Sequence, residues 1–155
     1  MSCVSGIVQQ TARIMPIEFL NQKEVNDCIL ASVANYVHLN AGRPAVSVYE
    51  ELLELIQNSA VLAAQDYQAW KEGHGVPLEL ISTLTSHYGI PIEPKSFCGL
   101  PESSCIIAFP LNDVKYQWHI ILWTGKEIHD PLQFKKLKIT IDELTHNLEK
   151  VVIYA

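Results

Sequence analysis

The chain has 155 residues, 48% of them hydrophobic, which is enough apolar material to bury one substantial core and more than a disordered segment carries. A formal net charge of −6 argues against a nucleic-acid partner, because phosphate binding draws on clustered cations; the one such cluster, Lys135, Lys136 and Lys138, reads as a solvated strand face or turn. No apolar run approaches the roughly 18–20 residues that span a bilayer, and residues 1–10 lack the basic region of a secretory signal. The expectation is a cytoplasmic chain without membrane insertion, exported only if a secretion system needs no cleavable signal.

Helical signals come first along the chain. Asp27 offers an N-cap for a helix over 28–39, whose apolar Leu30, Val33, Ala34 and Val37 follow a helical period and which Gly42 and Pro44 end. Ser47 and Glu50 read as a capping box that opens a helix to about residue 57, with Leu52, Leu53 and Ile56 inward. A third helical pattern covers 60–71 and breaks at Gly73, His74 and Gly75, where His74 reads as a loop residue. Pro77 then starts a helix to about residue 88, ended by Gly89.

After Pro94 the pattern changes to alternation. Strands are expected over 105–109, 117–123, 127–130, 137–139 and 151–154, with a short helix capped at Thr140. Helices followed by strands predict an α+β architecture in a single domain over 1–155, in which the helix beginning at Cys28 packs on an antiparallel sheet.

Chemistry concentrates at two places. Cys28 stands at the first turn of an apolar helix, where free backbone N–H groups favour thiolate over thiol and would make it the most reactive sulfur of the chain. Upstream, Gln22 supplies an amide donor of the kind that meets an oxyanion in acyl transfer. Downstream, His119 opens an apolar strand, and Thr124, Gly125 and Lys126 signal a turn, so Asp130 returns on the neighbouring strand, within reach of the second ring nitrogen. His129 falls on the opposite strand face and is not expected to be the base. The four cysteines, at positions 3, 28, 98 and 105, form no zinc-like spacing, so neither metal nor cofactor is expected; Cys105 reads as a small apolar residue in a buried strand.

From about Gln22 to Ala155 the chain resembles the C39 cysteine peptidases, the papain-like domains that cut leader peptides from bacteriocin precursors, and their C39-like relatives. The matching pieces are Gln22 with Asp27 and Cys28, the segment from Gly75 to Leu84 with Tyr88-Gly89-Ile90, the run from Trp118 to Leu122, His129-Asp130-Pro131, and Ile141 to Leu144. The resemblance implies a papain-like fold preceded by an N-terminal extension over 1–20. It also implies Cys28 as nucleophile, His119 as general base and acid, Asp130 as the residue that orients His119, and Gln22 as oxyanion donor. Two features depart from the family: Ile29 stands where a small residue usually follows the nucleophile, and the stretch over 58–73 is longer than the usual connection.

The expected activity is cleavage of a peptide or protein substrate through a thioester on Cys28. A side-chain amidase, deamidase or transglutaminase-type enzyme would use the same four groups, and a catalytically silent binding module would keep the fold alone. Oligomeric state is not legible from the sequence.

Overall fold

The structure is a computed structural model that describes residues 16–21, 27–58, 61–110, 118–131 and 151–155. Gln22, the basic cluster at Lys135, Lys136 and Lys138, the expected strand over 137–139 and the helix expected from Thr140 lie outside the described residues. Among the described residues the chain forms four helices and a five-stranded antiparallel sheet, so the α+β expectation holds.

Helix α1, Cys28–Ala41, is the centre of the packing. Gly42 ends it with a left-handed φ of 71°, and its N–H closes on the His38 carbonyl. Every residue from Cys28 to His38 is buried, so the helix shows no solvent face in this span. A helix covered all round must satisfy each polar side chain it carries, and Ser32, Asn35 and His38 each have a specific partner.

Helix α2, Ala45–Asn58, lies against α1 through Val48, Tyr49, Leu52 and Ile56. It begins earlier than the Ser47 capping box predicts: the Pro44 carbonyl accepts the Val48 N–H at 3.1 Å, and Ser47 sits inside the first turn. Proline holds φ near the helical value and lacks the N–H that a helix start leaves unpaired, so Pro44 leads into the helix as well as closing the previous one. Arg43 pairs with Glu51, which also accepts the Tyr88 hydroxyl at 2.7 Å, linking the α1–α2 turn to the helix that follows. Helix α3, Ala64–Lys71, occupies part of the long 58–73 stretch. Helix α4, Leu80–Ser86, is shorter than expected because turns with i→i+3 bonds, from Pro77 O to Leu80 N and from Leu84 O to His87 N, take up both ends.

The strands are β1 Pro94–Ser96, β2 Cys105–Pro110, β3 Trp118–Trp123, β4 Ile128–His129 and β5 Val152–Tyr154, in the spatial order β1-β5-β2-β3-β4. The last strand is therefore inserted between the first two. Strand β1 has no alternation that the sequence could signal; its three residues are exposed, and pairing with β5 makes it a strand. The β3–β4 turn closes with Thr124 N–H on Glu127 O at 3.0 Å, and it needs Gly125. That residue has φ 99°, and a Cβ there would meet the Glu102 carbonyl oxygen at 2.7 Å.

Both faces of the sheet carry apolar clusters. Ile106, Ala108, Ile120, Leu122 and Tyr154 face α1, α2 and α4, whereas Cys105, Ile107, Ile121, Trp123 and Ile153 pack with Phe97 and Val151 on the other face. Burial on both faces explains why the strands read as continuous apolar runs. Because Ile120 is fully buried beneath α1, Ile120→Ala is expected to cost about 2–5 kcal/mol in urea denaturation, while Val46→Ala on the exposed side of α2 should stay within about 0.5 kcal/mol.

Candidate active site

The start of α1 sets the electrostatics of Cys28. The helix's first backbone bond runs from Ala31 N–H to the Asp27 carbonyl at 2.9 Å, which places Asp27 at the N-cap position. Its carboxylate does not cap the helix, however, but accepts the Tyr49 hydroxyl on α2. The first-turn amides are thus left for the sulfur: the Ile120 N–H on the neighbouring strand favours the thiolate most, and the N–H groups of Ile29 and Cys28 add to it as the sequence predicts.

Burial outweighs them. Cys28 is 9% exposed, and loss of hydration pushes its thiol up to about 12, with the neighbouring Asp27 charge acting in the same direction. In the structure as it stands Cys28 is a protonated thiol. The sequence-based expectation of a thiolate counted the helix field and could not count the desolvation.

His119 and Asp130 are brought together by the β3–β4 hairpin. Its register sets Leu122 opposite His129 and Trp123 opposite Ile128, so Asp130 emerges on the His119 side of the pair. His119 Nε2 lies 2.9 Å from Asp130 Oδ1. The carboxylate accepts, so Nε2 carries the hydrogen, and Nδ1 is the ring nitrogen left to take a proton. The ring is 3% exposed and meets the Phe109 ring edge-on, with centroids 5.3 Å apart and an interplanar angle of 77°.

Two hydrogen bonds fix α1 against β3. The Cys28 thiol donates to Trp118 O at 3.5 Å, and the Ser32 hydroxyl donates to Ile120 O at 3.1 Å. Four helix residues rise about 6 Å and two strand residues about 6.6 Å, so donors four apart on the helix match carbonyls two apart on the strand. The match sets Cys28 beside the residue that precedes His119. The thiol donates to this carbonyl and its sulfur also accepts the Ile120 N–H, and strand alternation puts His119 on the side of Ile121, the face opposite the α1 cluster. The structure therefore joins His119 to Asp130 and sets Cys28 against the adjacent residue.

His129 points away from Asp130, as the alternation predicts, and its Nε2 lies 3.3 Å from the Leu20 carbonyl. Asn35 and His38 join it in holding the segment over 18–20, a group that the apolar periodicity of α1 does not reveal. The available signal was a polar stripe at positions 32, 35 and 38 within the apolar run from Cys28 to Leu39. Among the described residues no group of three or more His, Cys, Asp or Glu is placed to hold a metal ion. No family model, curated protein or solved structure matches the chain.

Two measurements check the thiol assignment. In the folded protein near neutral pH, exposed Cys98 should be alkylated faster than Cys28 or Cys105 by roughly 10²-fold or more, since each unit by which a pKa rises lowers the thiolate fraction tenfold. Cys105, like Cys28, is pushed up to about 12 by burial. From about pH 8.5 upward the unfolded chain releases protons that the folded chain keeps, so stability should fall with rising pH, by up to about 1.4 kcal/mol per pH unit for each thiol. Denaturation midpoints between the two pKa values, compared with those of the Cys28→Ala and Cys105→Ala variants, isolate this contribution.

Proposed function

We propose that the chain is a papain-like cysteine peptidase of the C39-like kind, cutting a peptide or protein substrate through a thioester on Cys28. The observation that carries the reading is the His119–Asp130 pair, held at 2.9 Å on a hairpin against which the helix that begins with Cys28 is docked. A buried imidazole whose Nε2–H is fixed by a carboxylate presents Nδ1 as a base of defined direction. A sulfur at the start of a helix has first-turn amides beside it, and these suit an oxyanion as well as a thiolate.

In the proposed cycle the substrate carbonyl enters beside Cys28, and the sulfur gives up the Trp118 carbonyl for His119 Nδ1, a pairing that requires the His119 ring to come round from the Ile121 side of β3. His119 takes the thiol proton as sulfur attacks the carbonyl carbon, and the oxyanion is met by the Cys28 N–H and the Gln22 amide. His119 returns the proton to the leaving amine, the C–N bond breaks and the thioester remains. Water, deprotonated by His119, then attacks the thioester and restores the thiol. Because the resting thiol is neutral, deprotonation accompanies attack and does not precede it.

The same buried, protonated thiol, bonded to a backbone carbonyl, favours a second reading: a binding module that keeps the fold without turnover. The two separate in one experiment. The protein is incubated with a mixture of synthetic peptides, and new termini are read by mass spectrometry beside a Cys28→Ala control. Scission that disappears in the control supports the peptidase. Conversion of a side-chain amide to an acid without scission supports an amidase, and scission that persists in Cys28→Ala overturns the proposal. Absence of any product with unlabelled Cys28 after exposure to peptidyl electrophiles supports the silent module.

If the peptidase reading holds, His119→Ala should slow turnover about as much as Cys28→Ala, because members of one catalytic unit are not additive. Asp130→Asn should cost up to roughly 10⁴-fold through the wrong tautomer. Gln22→Ala should cost roughly 10²- to 10³-fold while leaving alkylation of Cys28 by a small reagent unchanged, since alkylation forms no oxyanion. Steady-state kinetics and alkylation rates on the same variants check all four.

A further inference from the structure

Outside the thiol site, the most elaborate polar construction among the described residues surrounds the backbone of Leu20. Asn35, fully buried on α1, pairs with it twice: Oδ1 accepts the Leu20 N–H at 2.9 Å and Nδ2 donates to the Leu20 carbonyl at 2.9 Å. A side-chain amide used in this way reproduces the two bonds of a strand pair. The same carbonyl lies 3.3 Å from His129 Nε2, so it accepts from α1 and from β4 together. One residue earlier, the Phe19 ring packs against His129 with centroids 4.9 Å apart and against His38 edge-on at 6.0 Å. His38 is 2% exposed; its Nε2 accepts the Glu18 N–H at 2.9 Å, so its Nδ1 carries the hydrogen given to Arg43 O at 2.6 Å.

This construction bears on Asp130. Strand β4 has two residues, is the edge of the sheet among the described residues and is paired with β3 at two register positions. Asp130 follows it directly. On the face turned towards α1, β4 is held through His129 on the Leu20 carbonyl, and that carbonyl is fixed in turn by a fully buried amide on the helix that carries Cys28. An orienting carboxylate must be held within a few tenths of an ångström to keep the imidazole in its working geometry, and groups that lock such residues act without touching the substrate.

We propose that His129 and Asn35 are positioning residues of the thiol site, acting through the Leu20 carbonyl on Asp130 and thereby on His119. The proposal rests on the peptidase reading for its kinetic consequence, but its structural claim, that this tie sets the His119–Asp130 bond, can be read without turnover.

The test uses His129→Gln, whose amide nitrogen can still donate to Leu20 O, and His129→Phe, which keeps a ring against Phe19 and removes the donor. The first readout is the low-field NMR signal of the His119 Nε2 proton bonded to Asp130, assigned by its loss in Asp130→Asn. It should be retained in His129→Gln and be lost or exchange-broadened in His129→Phe, with both variants folded by circular dichroism. The second readout is peptide turnover: kcat should fall about tenfold or more in His129→Phe with KM unchanged, and return in His129→Gln. Asn35→Ala combined with His129→Phe should lose little beyond either alone, because both act on one carbonyl. If Asn35→Ala does not fold, the His129 pair still decides the matter. An unchanged His119 proton signal in folded His129→Phe overturns the proposal, whatever happens to its melting temperature. Absence of turnover in the unaltered protein, with the signal behaving as expected, would sink the peptidase reading and leave the positioning tie standing.

Discussion

The docking of α1 along β3 is the constraint on which the rest of the structure depends. Thiol and hydroxyl, one helical turn apart, reach carbonyls two strand residues apart, and this match fixes both the translation of the helix along the strand and its rotation about its own axis. A shift by one residue would carry the Ser32 hydroxyl away from Ile120 O and leave a polar group stranded at a position of no exposure. With α1 so placed, α2 and α4 close over its other sides and bury the span from Cys28 to His38.

Complete burial has two opposite consequences for the polar groups of that helix. Ser32, Asn35 and His38 are removed from water, but each meets backbone groups that compensate it, so they add specificity: Asn35 and His38 accept only one placement of the 18–20 segment. Cys28 is removed from water with weaker compensation, since a thiol is a poor donor and a 3.5 Å contact to a carbonyl stabilises the protonated form. Burial drives the thiol pKa up, with the Asp27 charge acting the same way, while the Ile120 N–H and the helix N-terminus draw it down, and burial wins.

The His119–Asp130 pair follows a different logic. Both groups sit on a hairpin, so their proximity is local: a tight turn built on Gly125 and two register pairs are enough to align them. What the hairpin alone does not supply is stiffness at its edge, because β4 is as short as a strand can be. The Leu20 carbonyl, shared by His129 and Asn35, connects that edge to α1, so the helix that carries the sulfur and the strand end that carries the carboxylate are braced against one another.

The sequence by itself determined the parts governed by short-range rules. The period of Leu30, Val33, Ala34 and Val37 marks α1, Gly42 marks its end, alternation and turn residues mark the β3–β4 hairpin, and strand parity separates His129 from the His119–Asp130 pair. Each depends on neighbours a few residues away. Tertiary structure decided what depends on distant neighbours. Pro44 and not the Ser47 box opens α2, because backbone geometry before the helix outranks a side-chain cap inside it. Residues 94–96 become a strand because β5 lies alongside them. Asp27 turns from the helix end to the Tyr49 hydroxyl because α2 brings that hydroxyl close. Above all, the protonation of Cys28 was beyond the sequence: the helix field that favours thiolate is local and legible, whereas the desolvation that overrides it comes from elements packed around the sulfur.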